Sequence, residues 1–355
     1  MDLSLSIGRI PDGVMYVLTE MRSRLQVALR QALNSTLTAL PALTAGEITK
    51  LSWAKSIESI AEVPVVYKEF FEPLPADGRP FPYSILTPSF EGFLHRTAEK
   101  LICYFGDELY ILEKDGNSFK TQCYPLEGIS YIEFGSILLD GWIKISGEAS
   151  HGALISSRCK FNSVTDYLFT PILKRIRSFG ADSPWTASSS ELEKFDQFFQ
   201  ISYKFMNYAK RSLLPGEKVI HTIIQPEIQA EKLTLLGKTL VRTISPAQMT
   251  ILMDRELIVI REDDRWRYEV MYGGIWDYIP LNKIVSLSLS EKGKNSLVFS
   301  VHLPKSDRLD FVFRASMKPE IELLIDQFRR LPPTFQRSPS NPDPTHRPTD
   351  GHIVA

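Results

Sequence analysis

Asp254-Arg255-Glu256-Leu257-Ile258-Val259-Ile260-Arg261-Glu262-Asp263 is an apolar run flanked by charges, and Asp107-Glu108-Leu109-Tyr110-Ile111-Leu112-Glu113-Lys114-Asp115 states it earlier in the chain. An internal repeat constrains architecture before any single element does, because each copy should be the same supersecondary unit. The match extends both ways. Downstream, Pro125-Leu126-Glu127-Gly128-Ile129 answers to Pro280-Leu281-Asn282-Lys283-Ile284, and Phe161 to Arg177 runs without a gap against Phe313 to Arg329. Upstream, Leu74-Pro75 answers to Leu214-Pro215, and Tyr83–Pro88 to His221–Pro226. The spacing between partners drifts between segments, and such insertions belong in loops. The extra residues of the second copy are read at Lys232–Ser245 and Met271–Asp277.

A chain of 355 residues is long enough for two or three domains. Its 43% hydrophobic content supports sizeable cores. The net charge of −1 supplies no global field toward nucleic acid, which is excluded as a partner, so any basic site must be a local cluster. Cys103, Cys123 and Cys159 all fall in the first copy. An odd count without C-x-x-C spacing argues against a disulfide framework or a zinc site, and each reads as a small buried apolar residue. A reducing, cytoplasmic compartment follows as the expectation. The N-terminus lacks a basic segment followed by an apolar one, and no apolar run approaches the roughly 20 residues of a membrane span.

Val14, Val17, Leu18, Met21, Leu25, Leu29 and Leu33 recur at helical spacing behind Pro11-Asp12-Gly13. This helix is expected to pack on a neighbouring domain; its arginines also suit a membrane surface. A second helix is expected over 46–62. In the first copy, strands are expected at Leu101–Phe105, Leu109–Glu113, Phe119–Tyr124, Ile129–Phe134, Gly141–Ser146 and Ala153–Phe161. Asp115-Gly116 supplies the positive φ of a tight hairpin between two of them. The period then changes, and Val164, Tyr167, Leu168, Ile172 and Ile176 mark one face of a helix ending near Arg177. A linker leads to Ser190, a candidate N-cap for one helix carrying Phe195, Phe198, Phe199, Phe205 and Met206, which should dock one module on the other.

The second copy repeats the plan with strands at Val219–Ile224, Met249–Met253, Leu257–Arg261, Trp266–Val270, Ile284–Leu289, Leu297–His302 and Leu309–Arg314, closed by a helix at Lys318–Phe328. The resulting division is a helical region 1–72, a module 73–179, a linker and helix 180–212, a module 213–331 and a Pro-rich tail 332–355 expected to be disordered. The fold class is mainly β with helices, α+β.

Specific residues then carry a resemblance. Leu214-Pro215-Gly216-Glu217-Lys218-Val219, Met253-Asp254-Arg255-Glu256-Leu257-Ile258-Val259 and Ile279-Pro280-Leu281 with Ile284 resemble the opening, a central strand and a later strand start of bacterial pleckstrin-homology-like domains. Met253 and Glu256 depart from that strand's pattern, and the first copy lacks the Pro-Gly-Glu opening. The resemblance implies two tandem barrels, each a bent antiparallel sheet with its open end covered by the C-terminal helix. It argues fold and names no ligand.

Chemistry is sparse. None of the six histidines has a metal-motif partner, and no nucleophile elbow, P-loop or dinucleotide fingerprint occurs. His221 and His302 read as satisfied strand residues, and Glu262-Asp263-Asp264 as a solvated turn. No catalytic residue, metal or cofactor is expected. The leading expectation is therefore a non-enzymatic scaffold that binds a protein or peptide along an exposed strand edge or the groove between modules. The alternative is peripheral membrane recruitment. By the resemblance, basic residues near the first hairpin would grip anionic headgroups, and Lys232, Lys238 and Arg242 occupy that region. An enzyme of unknown class is the remaining alternative, with no residues to carry it.

Overall fold

Gly116 adopts φ 63°, the left-handed backbone that a tight hairpin turn needs, and its flanking strands pair from Asp115↔Ser118 to Glu108↔Pro125. This hairpin belongs to a computed structural model that describes residues 51–73, 80–91, 96–179, 189–235, 238–263, 273–293 and 295–332. The helix expected at 14–33, the strand expected at Trp266–Val270 and the tail beyond residue 332 lie outside the described residues.

In chain order the first half gives β1 (Lys55–Ile57), α1 (Lys68–Phe71), β2 (Ser84–Thr87), β3 (Phe90–Glu91), β4 (Arg96–Thr97), β5 (Lys100–Phe105), β6 (Glu108–Asp115), β7 (Ser118–Pro125), β8 (Ile129–Ile137), β9 (Asp140–Glu148), β10 (Leu154–Asn162) and α2 (Thr170–Arg177). The second half gives α3 (Ser189–Glu193), α4 (Tyr203–Ser212), β11 (Val219–Gln225), β12 (Ile228–Leu235), β13 (Lys238–Ser245), β14 (Gln248–Met253), β15 (Glu256–Arg261), β16 (Gly274–Pro280), β17 (Ser286–Lys292), β18 (Ser296–His302), β19 (Arg308–Arg314) and α5 (Lys318–Arg330). The protein is mainly β with a few helices.

The two copies share a sheet. Strand order is β1-β2-β5-β6-β7 in a five-stranded sheet, β10-β9-β8-β16-β15-β14-β11 in a seven-stranded one and β17-β18-β19 in a third, with β3-β4 and β12-β13 as separate pairs. Within each copy the chain gives four strands to one sheet, with a two-stranded pair between the first and second of them, then three more strands and a helix. The seam is β8 against β16, antiparallel from Ser136↔Gly274 to Ile132↔Tyr278. Among the described residues every sheet runs from edge to edge, so the expected barrel closure is absent and the sheets are open.

Three apolar layers explain why the central strands read as unbroken apolar runs. Ile258 and Ile260 point into a core shared with Ile102, Leu109 and Ile111 of the five-stranded sheet and with Phe195, Phe205 and Met206 between the copies. Leu257 and Val259, of opposite parity, point into a second core under β17–β19 and α5, with Phe299, Phe313 and Leu324. A strand buried on both faces loses the apolar/polar alternation of a half-exposed one. The third core lies on the outer face of the five-stranded sheet, where Tyr67 and Phe71 cover Leu101, Cys103 and Leu112.

Several expectations change. The described part of 46–62 is no helix: Lys55–Ile57 pairs with Ser84–Leu86, taking up the edge of β2. Of Met271–Asp277, Gly274–Asp277 is no loop insertion but part of Gly274–Pro280, the strand that pairs with β15 from Glu256↔Pro280 to Arg261↔Ile275; Met271 and Tyr272 lie outside the described residues. Lys232–Ser245 is no loop either. It belongs to the β12–β13 hairpin, whose strands of 8 residues lengthen the place that the 2-residue β3 and β4 hold between β2 and β5. The aromatic helix after the linker is broken into α3, a short 3-10 turn at Asp196–Phe198 and α4. Ser190 lies inside α3. The effective cap is Ser202, whose extended backbone (φ −160°, ψ 100°) starts α4 and whose hydroxyl accepts from the Phe205 N–H.

Candidate functional site

The seven-stranded sheet changes character across its seam. On the face toward β17–β19, the second copy presents Leu257, Val259 and Ile279, all sealed in the second core. One polar row crosses the same face, from Asp277 of the second copy into the first copy's strands. Register places Val259 beside Asp277, Asp277 beside Glu133, Glu133 beside Lys144 and Lys144 beside Arg158. The reason is coverage: β17–β19 lie over the second copy's strands, so this part of the first copy's face keeps polar residues.

Glu133 organises the row. Its Oε1 accepts from Trp142 Nε1 at 2.6 Å and from Arg158 at 3.1 Å; its Oε2 accepts from Arg261 at 2.9 Å. Arg261 Nε also donates to Asp277 at 3.0 Å. Burial pushes the Asp277 carboxyl above its ordinary value, with Glu133 adding to the shift and Arg261 opposing it. Arg158 stacks 4.6 Å over the Trp142 ring. That ring lies flat because Gly135 is opposite it; a Cβ there would stand 2.3 Å from the indole. Lys144 differs from its neighbours. Its ammonium donates to the Tyr131 hydroxyl at 2.5 Å, and no carboxylate pairs with it among the described residues.

Above this floor runs β19, the edge of its sheet. Together they enclose a trough of about 310 Å³ whose lining includes Tyr131, Glu133, Lys144, Asp277, Asp310 and Phe311. Side-chain contacts tie down both ends of β19. At one, Gln225 and Gln248 side-chain amides and the Ser245 hydroxyl donate to the Val312 carbonyl at 3.1, 2.8 and 3.0 Å. Gln225 also accepts from the Arg314 N–H at 2.7 Å, so its amide imitates a paired strand. At the other end Lys305 reaches the first copy, donating to the Gly152 carbonyl and pairing with Glu148 at 3.2 Å. Lys305 and its neighbour Ser306 hold φ 57° and 64°, a left-handed pair that costs energy in residues with a side chain.

Backbone direction follows from these contacts. Val312 C=O and Arg314 N–H point away from β18, and the period of two gives Asp310 the same direction. The Asp310 carboxylate is engaged, accepting from Ser300 at 2.6 Å and pairing with Arg308 at 3.0 Å.

A second charged cluster is sealed where the copies meet. Arg177, at the end of α2, donates from Nε to both Glu256 oxygens at 3.1 Å and from Nη2 to the Ser212 carbonyl at 2.6 Å, with its guanidinium 4.1 Å over the Tyr278 ring. Glu217 lies 3.9 Å away and accepts from the Leu214 N–H at 2.8 Å. Burial and the Glu256 charge push the Glu217 carboxyl up to about 8, against the pull of Arg177. With side chains at 6%, 5% and 1% exposure, this cluster is out of reach of a ligand.

The residues singled out from the sequence fare differently. The described positions of Lys232, Lys238 and Arg242 are backbone positions in the β12–β13 hairpin: Lys238 opposite Leu235, Arg242 opposite Ala230, and Lys232 in the irregularity between Glu231 and Leu233. Glu262 pairs with Lys204 at 2.8 Å and Asp263 is 4% exposed, so these two are not solvated turn residues; Asp264 lies outside the described residues. His302 shares a 2.8 Å hydrogen bond with the Ser288 hydroxyl. His221 is not satisfied: its Nε2 is buried without a hydrogen bond, with Glu320 3.6 Å away. All three cysteines are free thiols, Cys103 and Cys159 buried. Among the described residues no group of three or more His, Cys, Asp or Glu could hold a metal, and no helix is long and apolar enough to cross a membrane.

Sequence reasoning passed over Glu133, Lys144, Arg158, Arg261 and Asp277. A signal existed in Trp142-Ile143-Lys144-Ile145, whose alternation marks a half-wet strand, against the continuous apolar run of Leu257–Ile260. What it could not supply was the pairing of β8 with β16. No protein-family model matches the chain, and no curated protein matches it.

Proposed function

We propose that the chain is a non-enzymatic binding protein, built of two pleckstrin-homology-like modules, that recognises an extended segment of another protein in a cytoplasmic setting. The module reading is supported by the order of four antiparallel strands, three more and a helix, met twice with the repeat motifs at matching positions. The recognition reading rests on one observation: the edge strand β19 opens onto a trough whose polar floor comes from both copies. An edge with outward-pointing backbone groups is a template for a further strand, and side-chain contacts beneath it supply selectivity. Panning a displayed library of random seven-residue peptides on the full chain tests this. Binders are expected to lose affinity when β19 is blocked by Asp310→Pro, which removes the outward N–H. Binders indifferent to that change would sink the assignment of the edge.

The runner-up, recruitment to anionic membranes, draws support from the placement of Lys238 at the turn end of a hairpin that stands as its own two-stranded pair. Sedimentation with phosphatidylcholine vesicles, with and without phosphatidylserine, separates the two. Binding that needs phosphatidylserine and vanishes in Lys238→Glu would favour the membrane.

A further inference from the structure

We infer that the segment taken up beside β19 is acidic, an added strand whose downward side chains meet Lys144; this rests on the strand-edge reading proposed above. The geometry follows from how the layers stop. The three-stranded sheet covers the second copy's half of the seven-stranded sheet and ends at β19. A strand added there would extend the upper layer over β8 and β9, where stacked sheets stand about 10 Å apart and every second side chain points to the opposing face. The side chains so directed would meet the polar row of Glu133 and Lys144.

The charges of that row are unequal in what they still offer. Glu133 already accepts from Trp142, Arg158 and Arg261. Asp277 is buried and paired with Arg261, and its carboxyl is held above its ordinary value by burial. Asp310 is taken by Ser300 and Arg308. Lys144 makes its hydrogen bond to a tyrosine hydroxyl, with its ammonium 5.0 Å from the centre of the same ring, and its pull on the buried Asp277 carboxyl is weaker than that of Arg261. A lysine lining a cleft beside carboxylates that are already engaged favours a carboxylate from outside and disfavours another cation. The contacts made by Val312 and Lys305 leave Arg308–Phe311 as the free run, so the partner strand is short.

The test uses the full chain and the displayed heptapeptide library. Peptides enriched on wild type are expected to carry Asp or Glu. Their affinity is expected to fall about tenfold to a hundredfold on Lys144→Met, the range for losing one charge-assisted hydrogen bond, and to return largely with Lys144→Arg. Methylating alternate backbone amides of a synthetic binder, measured on unaltered protein, is expected to abolish binding in one register and spare it in the other. Enriched peptides without acidic residues, or with equal affinity for Lys144→Met, would overturn the acidic assignment and leave the strand-edge reading standing. A library yielding no binder to wild type would overturn both.

Discussion

Glu217 and Glu256 face a single guanidinium, Arg177, in a site without solvent, with Tyr278 and Asp254 as the other titratable neighbours. One buried arginine cannot neutralise two carboxylates, so a proton stays on the pair. The Glu217 carboxyl sits at about 8 in the folded chain against an ordinary 4.5. The native state therefore holds a proton that the unfolded chain gives up, and stability is fully present below the lower value and falls as pH rises through the higher one. Glu217→Gln should remove this dependence. Its stability relative to wild type is expected to grow between about pH 5 and pH 8, on the order of 1 kcal/mol per pH unit. Parallel urea titrations across that interval would show it, and parallel lines for the two proteins would refute it. Gly135 makes a second case. An added Cβ would meet the Trp142 ring at 2.3 Å and must displace it from Glu133. Gly135→Ala is expected to cost about 1–3 kcal/mol of stability in denaturant melts.

The central strands carry their energetics in side-chain parity. Leu257 is fully buried in the second core, so Leu257→Ala should cost about 2–5 kcal/mol, and Leu257→Asp, which strands a charge there, should abolish cooperative melting. An unchanged melt would mean that β15 is in a different register. Strands of this kind were legible in the sequence, since β6 and β15 announce themselves by composition and by repetition. β16 was not. Its Gly273-Gly274 entrance reads as a loop, and Asp277 interrupts an apolar stretch for a reason visible only once β8 lies beside it. The helix expected at 46–62 failed similarly, because an open edge on β2 outweighed local propensity. The trough was hidden for the deeper reason that its floor and wall come from different copies, and periodicity within a segment says nothing about pairings so far apart.

At the scale of the whole molecule, the shared sheet and shared first core make the copies interdependent. Residues 52–179 expressed alone would bare the β8 edge, and 189–332 alone the β16 edge, each with half of a core exposed. Calorimetry of the intact chain is expected to give one transition covering both copies, and the separate pieces no cooperative one; two resolved transitions would contradict this. The seam also has a polarity. Strand β8 of the first copy corresponds to β17 of the second, and β16 corresponds to β7, so the contact joins unlike strands. A two-fold contact would use itself up. This heterologous one leaves a complementary strand unspent at each end, β7 and β17, and could in principle propagate from molecule to molecule into a filament. The residues there oppose it. Exposed Lys120 and Thr121 on β7 and Glu291 and Lys292 on β17 stand where a buried joint would need apolar side chains. Replacing Lys120 and Thr121 with valine is expected to yield concentration-dependent polymers in sedimentation velocity, which would identify those polar side chains as chain terminators.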